Sequence, residues 1–560
     1  MKLGFYVWIN SNNEEPDKMK TPYMLAICLL FVVTGITTIG INPSVAVADS
    51  GKGFTDHEKS KQETTIQNHD VITKIMTDNS SKPLGMSLRE FVRLVREKNE
   101  QISFQDSEWA ISREAVKGAK SIFEPAFVNS YQYQEDKRRT TVQEKASQGF
   151  FSSPDFQERS GSYQAAVEGL VPTGGKLRFG YTRRDFKNNY DDKAGVERES
   201  QSVIGASITQ PLLKGGGIMT TKAGIQVAEA DADIAFQSYR GQMMRVISEA
   251  IATYWDLNLA REKYKLRKDS ERTAEQILKD NLIRVKTGKM AETEVLEARA
   301  GLAMRKSLVS EARQVIVSAM NSARTFMSFP VAETKIEIEP TDRLEIEDVT
   351  PVYANSLATA FKLRAEYISS RKKIEREDIR MAFAENQTWP QLDLKGSYNL
   401  NGLSDTPGNS WEDAMKRDYA TWFVGLELRV PLGGDKKSQS ELEATRQRKR
   451  QALLELKAVE VSLANTLETA VQSVHNVRDQ VRHYANVVGM NRRLLEAEIE
   501  RFNAGKSNSR LLLEREENLN KAKEAEIESL ARYRKSLLQL DLAEGSLLVN
   551  HGVEIMEAGL

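Results

Sequence analysis

The sequence predicts an α+β membrane protein in which amphipathic strands alternate with very long helices in two tandem copies. Three observations support this prediction. Two long stretches lack proline, the hydrophobic period changes between helical and strand segments, and several motifs recur in the same order along the chain. Together they indicate an internal duplication.

The stretches without proline predict long helices. None of the 14 prolines lies between Pro211 and Pro330, and none follows Pro431. Because proline breaks helices, uninterrupted helices are permitted there. A helix over about 219–283 would be about 95 Å long at ~1.5 Å per residue. Its apolar residues recur at steps of three and four, the pattern of a helix packed on partner helices: Ala228, Ala232, Ala235, Tyr239, Met243, Val246 and Ala250.

Between the helical stretches the hydrophobic period changes to two. We predict strands over 124–136, 199–211, 391–402 and 420–431, and a hairpin over 161–186 that turns at 172–175. Each segment is apolar on one face and mostly polar on the other. Strands of a transmembrane barrel have this pattern, because one face meets lipid and the other the lumen. A strand of a soluble sandwich also alternates.

Motifs recur at a nearly constant offset. Pro125 and Pro390 precede the first strand of each copy, and Pro211 and Pro431 follow the last strand. The offset falls from 265 positions at the first pair to 220 at the second. The first copy therefore holds about 45 extra residues, and the hairpin over 161–186 with its flanking loops accounts for them.

The N-terminal region predicts secretion. Residues 24–41 form an apolar run that follows two lysines and ends near a small-x-small site, so 1–48 is a predicted signal peptide. An uncleaved membrane anchor is the alternative. Residues 49–85 are polar and without period, which predicts a flexible linker.

Composition argues against several classes of function. The single cysteine, Cys28, lies in the predicted signal peptide, so we expect no disulfide, thiol catalysis or thiolate metal site in the mature chain. The five histidines lack metal-ligand spacing, and no phosphate-binding loop is present. The 79 basic and 79 acidic residues give no net charge that would attract nucleic acid. We therefore predict no enzyme activity, no cofactor and no metal.

The duplicated unit resembles the TolC-type outer-membrane efflux proteins. The matching residues are Ile208 to Gly216, Arg284 to Gly288 with Glu294 to Leu296, Val430 to Gly434, and Arg501 to Gly505. The resemblance covers about 86–550. It implies a homotrimer in the outer membrane of a Gram-negative-type cell, with one shared β-barrel continued into the periplasm by a coiled-coil barrel of helices. The first repeat would span 86–330, an equatorial segment 331–365, and the second repeat 366–560.

The resemblance also implies where partners bind. The helix-turn-helix tips would meet a periplasmic adaptor (membrane fusion) protein, and Arg284, Gly288, Arg501 and Gly505 are the candidate docking residues. Their alternative role is simple turn chemistry. Family members carry acidic residues at the periplasmic mouth, and the candidates here are Glu294, Glu297 and Glu514; Leu511 stands at a fourth such position. These carboxylates could instead be solvated helix charges.

We therefore expect a passive exit duct of a tripartite efflux pump or a type I secretion system. An inner-membrane pump or ABC transporter would supply the energy. A periplasmic coiled-coil adaptor or scaffold is the alternative function. The sequence leaves open the cargo, and it leaves open whether the hairpin over 161–186 adds strands to the barrel.

Overall fold

The computed structural model describes residues 84–148, 154–189, 197–288, 290–328, 337–347 and 349–553. The predicted signal peptide and most of the predicted linker lie outside them. Residues 84 and 85, which we assigned to the linker, form a strand that pairs in parallel with Ile338–Pro340. The linker boundary is wrong by two residues, because a three-residue strand with a distant partner leaves no local sequence pattern.

The described helices, in chain order, are α1 (Leu88–Lys98), α2 (Glu100–Lys120), α3 (Val142–Gln148), α4 (Ile218–Lys286), α5 (Glu292–Phe326), α6 (Tyr353–Leu363), α7 (Ala365–Gln387), α8 (Pro407–Lys416), α9 (Lys436–Asn503), α10 (Ser509–Glu544) and α11 (Leu547–Asn550). The described strands are β1 (Leu84–Met86), β2 (Ala126–Arg139), β3 (Asp155–Leu170), β4 (Lys176–Asn188), β5 (Glu199–Pro211), β6 (Ile338–Pro340), β7 (Gln391–Ser404) and β8 (Ala420–Arg429).

Two helices run the length of the helical region. Helix α4 has 69 residues and α9 has 68, so each is about 100 Å long. Shorter helices meet end to end beside them. Helix α5 ends where α2 begins, and the Asn99 Nδ2 group donates to the carbonyl oxygen of Phe326 at 3.1 Å. Helix α10 ends where α7 begins, and the Arg364 guanidinium donates to the carbonyl oxygen of Leu542.

The helices form a row of four at both levels. Near the strands the order is α2, α4, α7, α9; near the helix tips it is α5, α4, α10, α9. The long helices therefore hold the second and fourth places throughout. Helices α2 and α5, which meet end to end, form one flank of the row. Helix α9 forms the other flank.

All six long strands form one antiparallel sheet with the order β2-β3-β4-β5-β7-β8. The predicted hairpin is present as β3 and β4, somewhat longer than predicted, and it lies between β2 and β5. Strand β5 then pairs with β7, which joins the strands of the first repeat to those of the second. Within the described residues, one chain therefore has six strands in a continuous sheet.

The two faces of this sheet differ in polarity. The register places a band of apolar side chains on one face of all six strands: Phe127, Tyr131, Val167, Leu177, Phe179, Ile204, Ile208, Tyr398, Leu400, Trp422, Val424 and Leu426. The opposite face carries Gln132, Gln164, Glu168, Arg178, Thr182, Ser207, Lys395, Asn399 and Glu427. Helix α8 packs on the far end of the apolar face, where the Ser202 and Ser410 hydroxyls are 2.8 Å apart.

A mixed belt surrounds the middle of the helical row. Strands β1 and β6 with helix α1 pack on α4, and Phe91, Tyr254, Leu257 and Ile338 are almost completely buried there. The Tyr254 hydroxyl donates to the Asp342 carboxylate. The predicted equatorial segment, 331–365, contains β6 and α6.

One partly buried carboxylate beside the belt has a raised pKa. Burial raises the pKa of Asp541 to about 6, although the Asn550 Nδ2 group donates to its Oδ1 atom at 2.9 Å. Asp541 lies in the last turn of α10.

Proline ends the strand region in each repeat. Pro211 is the last residue of β5, and one residue, Val430, separates the end of β8 from Pro431. Between the two bends, the Lys214 Nζ atom lies 3.0 Å from the Asp435 Oδ2 atom, and this contact lowers the pKa of Asp435. An ion pair therefore joins the two repeats where strands give way to helices.

Candidate functional site

The far end of the helical row consists of two helix-turn-helix tips. Helices α4 and α5 meet around Gly288, and α9 and α10 meet around Gly505. Both glycines have a positive φ, 69° and 73°, in the left-handed region that favours glycine. The turn chemistry expected of these residues therefore explains why each tip has a glycine at this place.

The two arginines of the tips have different surroundings. Arg284 joins the tips: its Nη2 atom donates to Asn503 Oδ1 at 3.1 Å, and its guanidinium carbon lies 4.6 Å from the centre of the Phe502 ring. Arg501 is exposed, and its guanidinium lies 3.8 Å from the Glu498 carboxylate of its own helix. Of the two arginines predicted for docking, Arg501 is the more accessible.

The three acidic candidates also differ. The Glu294 carboxylate accepts a hydrogen bond from the backbone N–H of Ser509 at 2.7 Å, at the N-terminus of α10. An anion is favourable there because of the helix dipole. Asn281 strengthens this junction, since its Nδ2 atom lies 2.8 Å from the Ser509 hydroxyl. Glu297 and Glu514 are exposed.

A buried polar cluster links three helices farther from the tips. Arg305 of α5 donates through Nε to Glu516 Oε2 of α10 at 3.1 Å and to the Ser270 hydroxyl of α4 at 3.1 Å. Asn520 donates to the same hydroxyl at 3.0 Å. All four residues are at most 6% exposed. The ionic pair is fully hydrogen-bonded, which is the condition for a buried charge to be tolerated.

Local sequence patterns do not predict this cluster. Arg305 and Glu516 are charged residues in helices with heptad-like patterns. The local sequence around each of them predicts a solvent-exposed charge. The available signal is that Arg305, Gly301 and Ala298 lie on one face at helical spacing, beside the apolar seam. The charge pairing itself depends on how α10 docks on α5, which no local pattern encodes.

The described residues hold neither a hydrophobic membrane-crossing helix nor a cluster suited to a metal ion. None of the helices in these ranges combines sufficient length with sufficient apolar character to cross a bilayer. In the same part of the chain, no three side chains of His, Cys, Asp or Glu are grouped as metal ligands would be.

Solved structures with a similar fold include outer-membrane channels. The Campylobacter jejuni CmeC outer membrane channel matches 82% of this chain and 86% of its own length, at 15% identity and a TM-score of 0.58. The outer-membrane channel OprN matches 82% and 89%, at 14% identity and a TM-score of 0.58. The Neisseria gonorrhoeae MtrE outer membrane channel, solved in its open state, matches 82% and 89%, at 14% identity and a TM-score of 0.57.

A family model identifies the chain directly. The model of the outer membrane efflux protein family matches residues 156–325 and 369–546, one match in each repeat. A search of curated protein sequences finds no match. Members of this family are channels and not enzymes. The chain therefore belongs to the outer membrane efflux protein family and is an outer-membrane protein that extends into the periplasm.

Proposed function

We propose that this protein is a passive exit duct, formed by a homotrimer, in a tripartite efflux pump or a type I secretion system. The observation that carries the proposal is that one chain has two unpaired flanks. They lie on the same two sides in the sheet, in the helices near the sheet and in the helices near the tips. The exposed edges of the sheet are β2 and β8. The flanks of the helical row are α2 near the sheet and α5 near the tips on one side, and α9 on the other.

These flanks expose apolar side chains that a second copy would cover. On one flank Phe104, Ile111, Leu296 and Met304 are each more than 60% exposed; on the other, Leu454 and Met490 are 62% and 66% exposed. At such an interface one flank of a copy meets the opposite flank of the next copy. The copies therefore form a closed ring when the rotation between neighbours divides a full turn evenly. Three copies would place twelve helices around a tunnel.

The sheet supports closure into a membrane barrel. An open strand edge cannot persist in lipid, because its backbone groups would lack hydrogen-bond partners. Outside the end that helix α8 covers, the polar face is the more enclosed one: Ala166 and Asp393 on it are 2% and 7% exposed, against 57% and 51% for Phe179 and Tyr398 on the apolar face. This curvature suits a polar lumen and an apolar outer wall.

The alternative of an adaptor or scaffold fits these features less well. A coiled-coil scaffold could use the exposed flanks of the helices for assembly. It has no use for a six-stranded sheet with a continuous apolar band across all strands. We therefore favour the duct.

A pair of cysteines tests the trimer. Met304 lies on α5 and Met490 on α9, each about a dozen residues from its tip. In the double variant Met304→Cys/Met490→Cys, a short bis-maleimide should join neighbouring copies and give covalent trimers on a denaturing gel. The two single variants are matched controls and should remain monomers, since the interface pairs unlike surfaces. Monomers from the double variant would argue against this ring.

We further propose that the helix tips dock a periplasmic adaptor protein around Arg284, Gly288, Arg501 and Gly505, and that Glu294, Glu297 and Glu514 lie at the periplasmic mouth. An inner-membrane pump or ABC transporter would then drive export. Arg501→Glu should weaken adaptor capture from detergent extracts and reduce export, because it reverses an exposed charge. Arg272→Glu, an exposed position farther along α4, is the control and should leave both unchanged. An equal loss of adaptor capture and export in both variants would contradict the proposal that the adaptor docks at the helix tips.

A further inference from the structure

The hairpin β3–β4 is an integral part of the sheet. Strand β3 pairs with β2 along 14 residues, from Ala126↔Glu168 to Arg139↔Asp155. Strand β4 pairs with β5 from Lys176↔Thr209 to Phe186↔Glu199. Removing the hairpin would leave β2, β5, β7 and β8, four strands in each chain. With it, the sheet has six.

The hairpin also continues both faces of the sheet. Val167 and Phe179 are cross-strand partners within the apolar band, with Ala206 next to Phe179 on β5. On the other face, Glu168 and Arg178 are partners, and Arg178 lies opposite Ser207. A hairpin folded over a barrel would not need to continue this register, whereas a hairpin within the wall must do so.

The strand number sets the width of a closed barrel. With strands about 4.8 Å apart and tilted about 40°, a wall of 18 strands has a radius of about 18 Å, and a wall of 12 strands about 12 Å. A ring of 12 helices with axes 9–10 Å apart has a radius of about 18 Å. The radius of an 18-stranded barrel therefore matches that of the helical ring. The radius of a 12-stranded barrel would be smaller by about a third.

We propose that the inserted hairpin gives the trimer an eighteen-stranded barrel whose wall continues the twelve-helix ring without a taper. This inference rests on the proposed trimeric duct. It has a consequence for selection of cargo. Because the passage through the membrane is as wide as the helical tunnel, the strand region does not narrow the route that cargo takes.

The inference can be tested by asking whether β4 lies in the membrane wall. The only cysteine of the sequence is Cys28 in the predicted signal peptide, so single cysteines can be labelled in the otherwise native chain. Phe179→Cys places a fluorophore on the apolar face of β4, and Thr182→Cys places one on the polar face. Leu426→Cys, on the apolar face of β8, is the matched control. The labelled trimers are reconstituted in vesicles that contain a quencher attached to lipid tails.

If the barrel has eighteen strands, the labels at 179 and 426 both lose fluorescence and the label at 182 keeps its fluorescence. Quenching at 426 without quenching at 179 would overturn the inference and leave the duct intact. No quenching at either position would overturn the duct itself. Val167→Cys on β3 repeats the test if Phe179→Cys does not assemble. Imaging of the trimer in lipid nanodiscs gives a second reading, with eighteen strands expected in cross-section and twelve contradicting the inference.

Discussion

The two repeats share an architecture, yet residues at equivalent positions have acquired different tasks. Arg284 and Arg501 stand at the same place in their tips, but the first holds the tips together and the second faces solvent. Arg305 has Ala522 as its equivalent, and Glu516 has Arg299, at the offset of the tips. The buried ion pair therefore has one member in each repeat and no counterpart in the duplicate arrangement.

This difference shows how a duplicated chain can fix the relative positions of its halves. Several ion pairs at the interface of α4 and α10 join a basic residue of the first repeat to an acidic residue of the second, including Arg267 with Glu524 at 2.6 Å. Lys214 and Asp435 do the same at the bends. Such pairs cannot form between two copies of the same repeat, so they favour one docking of the halves over its alternatives.

The largest effect is expected from breaking the buried pair between the repeats. Glu516→Ala removes the carboxylate that is hydrogen-bonded to the buried Arg305 guanidinium and leaves it only the longer ionic contact to Glu517 at 3.8 Å, so the free energy of unfolding should fall by about 3 kcal/mol. Denaturant unfolding followed by circular dichroism measures this loss. Glu114→Ala is the control, because the pair of Glu114 with Lys117 is exposed and within one repeat, and its loss should change stability by less than about 0.5 kcal/mol.

The double variant Arg305→Met/Glu516→Leu separates charge from packing. It removes both charges and fills the site with apolar groups, so its stability should be near that of the wild type or above it. If Glu516→Ala lowers the free energy of unfolding by less than about 1 kcal/mol, the pair does not fix the repeats as proposed.

A second effect, on the pH dependence of stability, distinguishes the C-terminal end of α10 from that of α5. Asp541 in α10 has Arg324 as its equivalent in α5. Because burial raises the pKa of Asp541 to about 6, the folded chain binds a proton more tightly than the unfolded chain. Stability should therefore decline as the pH rises from about 4 through about 6, and stay level above that.

Asp541→Asn removes this charge and retains an acceptor for Asn550. The variant should be more stable than the wild type by about 2–3 kcal/mol at pH 8, and the difference should vanish below about pH 4. Unfolding curves across this pH range measure it. A difference that does not change with pH would contradict the assigned burial of the charge.

The smallest effect separates the two tip arginines. Arg284→Ala removes contacts between the tips and should lower local stability by about 1–2 kcal/mol. Arg501→Ala should change it by less than about 0.5 kcal/mol. Amide hydrogen exchange in the last turn of α9 measures the local opening. Equal exchange in the two variants would mean that the tips are equivalent after all.

The architecture was predictable because its signals are local and repeated. The absence of proline and the heptad steps predicted α4 over 219–283, and the structure has it at Ile218–Lys286. The family resemblance is confirmed by the family model and by the solved channels. The hairpin at 161–186 was predicted from its alternation and from the turn at 172–175, and the structure has it at 155–188.

The contacts between distant elements were not predictable from local patterns. The place of the hairpin inside the sheet depends on the pairing of β3 with β2 and of β4 with β5, which alternation alone does not determine. The different roles of Arg284 and Arg501 depend on which tip packs on which. The burial of Arg305 with Glu516 depends on the docking of α10 against α4 and α5, across more than 200 positions of sequence.

The central claim is that this chain forms a trimeric duct in the outer membrane. Fractionation of cells, followed by gel electrophoresis of the outer-membrane fraction with and without heating, tests it most directly. We predict that the protein is in that fraction, migrates as a trimer without heating and migrates as a monomer of about 63 kDa or less after heating. A monomer in the soluble periplasmic fraction would contradict the claim.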